Sequence, residues 1–180
     1  MVDLSTARQQ QALASAPLLR QLPPATRFVL RGGSQVLAAA ADALSLPRSE
    51  APCRAVRNDH RAALWLGPDE RLLLGSADAA AETHDLLRSA LNGMTHCLVD
   101  ISHGLVGFEV SGSRAELALN TGCPLDLDPA SFPPDMCTRT VFAKAQIVLW
   151  RTSATAFRVE TARSFAPYVT QILALAGREA

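Results

Sequence analysis

The spacing of apolar residues changes period several times along this chain, and each change marks an element. From Thr26 the stretch TRFVLRGG carries an extended apolar run stopped by the Gly32-Gly33 pair, which predicts a strand over 26–33. SQVLAAAADALSL then places Val36, Leu37, Ala40 and Leu44 at helical spacing ahead of Pro47, so a helix is expected over 34–46. RAALWLGPDERLLLG (61–75) is apolar on both sides of Pro68-Asp69 and reads as a hairpin. ADAAAETHDLLRSALNG (77–93) returns to helical period, with Leu87 and Leu91 four residues apart and Gly93 just past the end. HCLVDIS (96–102) adds one more strand.

The second half repeats the first. GFEVSG (107–112) is a strand and SRAELALNTG (113–122) a helix closed by Gly122; a Pro- and Asp-rich loop follows over 123–136. TRTVFAKAQIVLWRTSATAFRVE (138–160) supplies two or three strands, and SFAPYVTQILALAG (164–177) a final helix with Pro167 in its first turn. Phe28 and Phe108 lie eighty residues apart, as do Gly32 and Gly112. Cys53 precedes Trp65 by twelve residues and Cys137 precedes Trp150 by thirteen, which aligns the two tryptophans. An internal duplication of a β-α-β-β-α unit is therefore expected.

One such unit is too small to cover its own sheet, and two copies packed about a pseudo-two-fold axis bury a shared core. The expected fold class is α+β, with mainly antiparallel sheets and helices on the outer faces. Residues 25–176 form a single domain of two pseudo-repeats, about 26–93 and 106–176. Residues 1–24 form an N-terminal arm, whose 4–20 stretch reads as a short helix or an extended segment ending at Pro23-Pro24.

Composition sharpens this picture. Hydrophobic residues make up 48% and charged residues 19%, enough for a core and without a disorder signature. Lys+Arg and Asp+Glu balance at 17 each, which speaks against a nucleic-acid or anionic-membrane partner and suits a chain housed in a complex. The start MVDLSTARQQQ has no basic-then-apolar signal pattern, and no apolar run approaches the ~18 residues of a membrane span, so a cytoplasmic location is expected. Cys53, Cys97, Cys123 and Cys137 form no C-x-x-C pair and are expected as reduced, mostly buried thiols.

The segment D-x-S-H, with Asp100, Ser102 and His103, is the most suggestive for chemistry. A Ser-His-Asp relay needs the imidazole between serine and carboxylate, and three near-neighbours on one extended segment do not build that geometry. These residues are expected instead to finish a central strand and set up the turn at Gly104. His60, His84, His96 and His103 show no metal-binding spacing. VLRGGS lacks the third glycine of a dinucleotide-binding turn and has no G-K-[ST], so the shared glycine is read as a tight turn. Arg139, Arg151, Arg158 and Arg163 flank strands and read as solvated faces, with carboxylates on a partner surface as the alternative. No residue is assigned a catalytic, cofactor-binding or metal-ligating role.

The sequence DISHGLVGFEVSGSRAELALNTGCPLDLDP, then Phe132, Arg139-Thr140, IVLWR (147–151) and FRVETARSFAPYVTQIL (157–173), resembles the gamma subunit of heterotetrameric sarcosine oxidase, as does RAALWLGPDERLLL (61–74). That resemblance implies a non-catalytic structural subunit working with alpha, beta and delta subunits. The assembled enzyme demethylates sarcosine to glycine with tetrahydrofolate and oxygen, yielding methylenetetrahydrofolate and hydrogen peroxide. FAD, FMN and NAD would sit with alpha and beta, folate with alpha and zinc with delta, leaving no cofactor in this chain. It also implies the fold of the aminomethyltransferase folate-binding domain, itself duplicated. The chain lacks the K-G-C-x-x-G-Q-E-type motif of the iron–sulfur-linked folate-binding branch, and its 180 residues leave no room for the aminomethyltransferase's additional barrel domain; both departures speak against independent folate binding. The alternative function is a free-standing folate-binding or one-carbon-transfer protein using the cleft between the halves; a hydrolase using Ser102 and His103 is a third reading.

Overall fold

The computed structural model describes residues 18–179; most of the expected N-terminal arm, residues 1–17, lies outside the described residues. The first half contains β2 (Ala25–Gly32), α1 (Ser34–Ala43), β3 (Ala55–Arg57), β4 (Arg61–Gly67), β5 (Glu70–Ser76) and α2 (Ala80–Ala90). The second contains β7 (Leu105–Ser111), α3 (Ala115–Asn120), β8 (Cys137–Phe142), β9 (Ala145–Ser153), β10 (Ala156–Ala162) and α4 (Ala166–Glu179). Each half is preceded by a short strand, β1 (Leu18–Gln21) and β6 (His96–Asp100). The unit predicted from periodicity is thus present twice.

The strands form two five-stranded antiparallel sheets, ordered β3-β4-β5-β2-β6 and β1-β7-β10-β9-β8. Each leading strand joins the sheet of the other half. β6 precedes β7 in the chain but pairs with β2, and β1 precedes β2 but pairs with β7. Residues 18–21, read from sequence as part of an arm, are therefore an edge strand of the second half's sheet. β6 is likewise an edge strand, which corrects the expectation that Asp100 ends a central one.

Register fixes how the halves correspond. Ala63 pairs with Leu73 and Leu149 with Val159; Phe28 pairs with Leu73 and Phe108 with Val159. Trp150 then corresponds to Leu64, and Trp65 to Arg151, so the tryptophan alignment read from sequence is one residue out of step. Cys137 corresponds to Ala55, since these pair with Trp150 and Leu64. The halves meet on their pseudo-axis at the antiparallel bridge Arg54–Met136. On either side Cys137 N–H donates to Cys53 C=O at 2.9 Å and Ala55 N–H to Asp135 C=O at 2.8 Å. The corresponding residues Cys53 and Asp135 both take left-handed backbone, φ 55° and 64°.

Three apolar clusters make a helix–sheet–sheet–helix stack. Phe28, Leu30, Ala63 and Leu73 pack with Leu87 and Leu91 beneath α1 and α2. Phe108, Leu149, Phe157 and Val159 pack with Leu119, Val169 and Leu173 beneath α3 and α4. Between the sheets lie Ala62, Leu64, Leu72, Leu74, Cys137 and Trp150. Each large side chain buried in these layers contributes about 1.5–3 kcal/mol, and the middle layer holds the halves together.

Helix α1 ends earlier than its periodicity suggests. Ser45 turns left-handed (φ 54°), its N–H reaching Asp42 C=O and that of Leu46 reaching Ala41 C=O, a helix-ending motif normally completed by glycine. The paired turn glycines have different reasons. A Cβ on Gly32 would lie 2.5 Å from a Val36 methyl, whereas Gly112 has φ 115°.

Candidate functional site

The D-x-S-H segment is bonded into the backbone. Asp100 Oδ1 accepts the Ser102 N–H at 2.8 Å, and Ser102 Oγ accepts the Arg27 N–H at 2.9 Å. With Ile101 N–H donating to Arg27 C=O at 2.9 Å, this extends the β2–β6 pairing beyond the last strand residue. The hydrogen bonds from Ser102 hold the Asp100 carboxyl below its ordinary range. His103 contributes its backbone carbonyl, which accepts from Arg163 Nε at 2.8 Å.

Ion pairs join the halves, one of them fully buried. Arg27 Nε donates to Glu160 Oε2 at 2.7 Å, with side chains 2% and 0% exposed. Arg158 Nη2 lies 2.6 Å from the other oxygen, so one carboxylate serves two guanidiniums. Gly107 makes room for them: a Cβ there would lie 2.9 Å from Glu160 Oε1 and 3.0 Å from Arg27 Nη2. A second bridge joins Arg139 on β8 to Glu70 on β5, and Arg31 Nη2 approaches Glu70 at 3.4 Å. The Arg139 hydrogen bond lowers the Glu70 pKa.

Arg151 is fully buried, which overturns its reading as a solvated cation. Its Nη2 bonds Glu116 Oε2 at 2.7 Å and the Leu127 carbonyl, its Nη1 bonds Ala154 C=O at 3.0 Å, and its guanidinium lies 4.5 Å from the Phe157 ring centre. Arg139 and Arg158 are likewise spent on carboxylates of this chain. The sequence carried a partial signal for this: Arg27 and Glu160 alternate with the buried apolar residues Phe28 and Val159, so period two turns them to the opposite sheet face. Period alone does not say which charge meets which.

The four cysteines are free, but only Cys123 and Cys137 are buried; Cys53 is half-buried and Cys97 is exposed on edge strand β6. Burial pushes the Cys137 thiol up to about 12. Among the described residues no group of three His, Cys, Asp or Glu side chains stands together to hold a metal, and no helix is long and apolar enough to cross a membrane. Large apolar side chains do reach the surface, at Val99, Leu117, Val141, Phe165 and Leu175.

This architecture of two duplicated halves is of the aminomethyltransferase type. The glycine cleavage system aminomethyltransferase T from Bartonella henselae superposes with TM-score 0.68 at 14% identity, over 94% of this chain and 51% of that one. A solved heterotetrameric sarcosine oxidase from Corynebacterium sp. U-96, in complex with pyrrole 2-carboxylate, matches with TM-score 0.85 and 30% identity, over 92% of this chain and 85% of the matched one. The sarcosine oxidase subunit gamma of Corynebacterium sp. strain P-1 is 32% identical over 176 residues, 94% of this chain and 84% of that protein. The model of the sarcosine oxidase, gamma subunit family matches residues 33–179. The chain belongs to the sarcosine oxidase gamma subunit family, as the resemblance over 100–173 implied.

Proposed function

We propose that this chain is a non-catalytic structural subunit of a cytoplasmic sarcosine oxidase, assembled with alpha, beta and delta subunits. In this reading the partners hold FAD, FMN, NAD, tetrahydrofolate and zinc and carry out the oxidative demethylation of sarcosine. This chain buries apolar surface against them and keeps them in register. The observation that carries the reading is the match to a chain of a heterotetrameric sarcosine oxidase over nearly the whole described length. Two features of the molecule support it. The Asp100 and Ser102 side chains and the buried arginines are committed to internal bonds. Val99 lies on an edge strand, and edge strands and exposed apolar residues suit contact with other chains.

The test is affinity purification of the tagged chain from its native cells. A yellow complex with two larger subunits and a small one, releasing peroxide with sarcosine, is the expected result. A colourless chain arriving alone would overturn the reading and leave the free-standing folate-binding protein, tested by titration with a tetrahydrofolate analogue.

A further inference from the structure

The two halves carry one cross-strand pair in opposite order. In the second half, Arg151 on β9 lies opposite Phe157 on β10; in the first, Trp65 on β4 lies opposite Arg71 on β5. Arg151 lies over the Phe157 ring, on the sheet face that carries the helices; Trp65 and Arg71 are cross-strand neighbours that line one cavity beneath α1, Trp65 also reaching the layer between the sheets. Their surroundings differ. Around Arg151 the space is filled: Leu149 stands beside it, Leu127 and Phe132 come in from the 123–136 loop, and Glu116 on α3 supplies the neutralising carboxylate. Around Arg71 it is open. Ala63 takes the place of Leu149, and a cavity of about 430 Å³ remains, lined by Leu37, Leu46, Ala63, Trp65, Leu73 and Arg71 among others.

The missing carboxylate follows from the same comparison. Counting from Gly32 and Gly112, the position of Glu116 is held in the first half by Val36, which is buried and apolar. Arg71 Nη1 is held by the carbonyls of Gly67 and Glu70 at 2.7 and 2.9 Å. Among the described residues no carboxylate lies within ion-pair distance of it; Glu50 lines the same cavity and, with Asp69, acts on Arg71 only from beyond that distance. Arg48, also on the cavity wall, is already paired with Asp42. A half-buried guanidinium at the wall of a largely apolar cavity, with Trp65 lining the same cavity, matches a ligand with an apolar body and one carboxylate.

We infer that the cavity between α1, the 46–52 loop and the first sheet binds a small apolar carboxylic acid. Its carboxylate pairs with Arg71 and its body rests against Trp65 and Ala63. The ligand does for the first half what Glu116 and Phe132 do for the second. This goes beyond the proposed subunit role and does not depend on it.

The test is calorimetric titration of the full chain with phenylpropionate and hexanoate, and with phenylpropionamide as the neutral counterpart. One-to-one saturable binding of at least one acid is expected, with the amide weaker by roughly tenfold or more. Arg71→Gln should weaken the acid by a similar factor. Ala63→Leu, which copies Leu149, should abolish binding while leaving circular dichroism and the thermal midpoint intact. No saturable binding of either acid, an amide that binds as tightly as its acid, or undiminished binding to the folded Ala63→Leu protein would each overturn the assignment.

Discussion

Replacing Glu160 by glutamine keeps its shape but removes the charge that faces Arg27 and Arg158. Arg27 is 2% exposed, so its guanidinium would stay buried with a neutral amide oxygen and the Ala25 carbonyl, at 3.1 Å, as acceptors and no counter-charge from Glu160. Arg158, at 20% exposure, recovers part of its hydration. Removing one member of a buried pair costs about 3–5 kcal/mol, because the surviving charge remains desolvated. At about 2–4 °C per kcal/mol for a chain of this size, the thermal midpoint should fall by about 6–20 °C. Urea denaturation of the full chain is the assay, with an unchanged m-value showing that stability and not compactness has changed. The double variant Arg27→Met/Glu160→Leu supplies the second arm. It removes both buried charges and should recover most of the loss, since a well-packed apolar pair is often no less stable than a buried ion pair. A Glu160→Gln loss below about 1 kcal/mol, the range of exposed pairs, would refute the claim that this bridge is desolvated. A double variant as unstable as the single would refute the claim that unpaired charge is the cause.

Three further outcomes follow from the same packing. Gly107→Ala pushes a methyl group against Glu160 and Arg27, which hold each other in place; a loss of about 1–3 kcal/mol by urea denaturation is expected, and a neutral result would mean the pair yields freely. Arg139 makes Glu70 harder to protonate in the folded state than at its ordinary value of 4.5. The stability advantage of the native chain over Glu70→Gln should therefore be complete above that value, shrink as pH falls through the lower folded pKa, and vanish below it. Stability measured across the acid range would refute this if the difference did not change with pH. A thiol reagent at neutral pH should label exposed Cys97 and spare Cys137, whose buried thiol is held protonated, until denaturant is added. Mass spectrometry finding Cys137 modified in the native protein would contradict its burial.

Element types, their order and the duplication were legible in the chain because they rest on local signals. Leu87 and Leu91 at helical spacing lie fully buried as the period requires, and Pro167 sits where a helix tolerates it. The family resemblance was legible for the same reason, since it lies in ordered runs of residues. What local signals do not carry is the partner of each strand. The exchange of β1 and β6 between halves joins segments about ninety residues apart in the first case and about seventy in the second, and nothing in LLRQ or HCLVD names that neighbour. The duplication was visible, but its register was not: two tryptophans near the same place in each copy suggested a correspondence that backbone pairing moves by one residue. The fate of the arginines was decided at the same level. Arg151 looked like a solvated cation because a single sequence shows its charge but not Glu116, thirty-five residues away on the helix that covers it. The open cavity at Arg71 is the counterpart of that filled site, and only superposing the halves in space sets the two guanidiniums side by side. Local periodicity specifies what each segment becomes; contacts between distant segments specify which charges are buried, which edges are exposed and where space is left for another molecule.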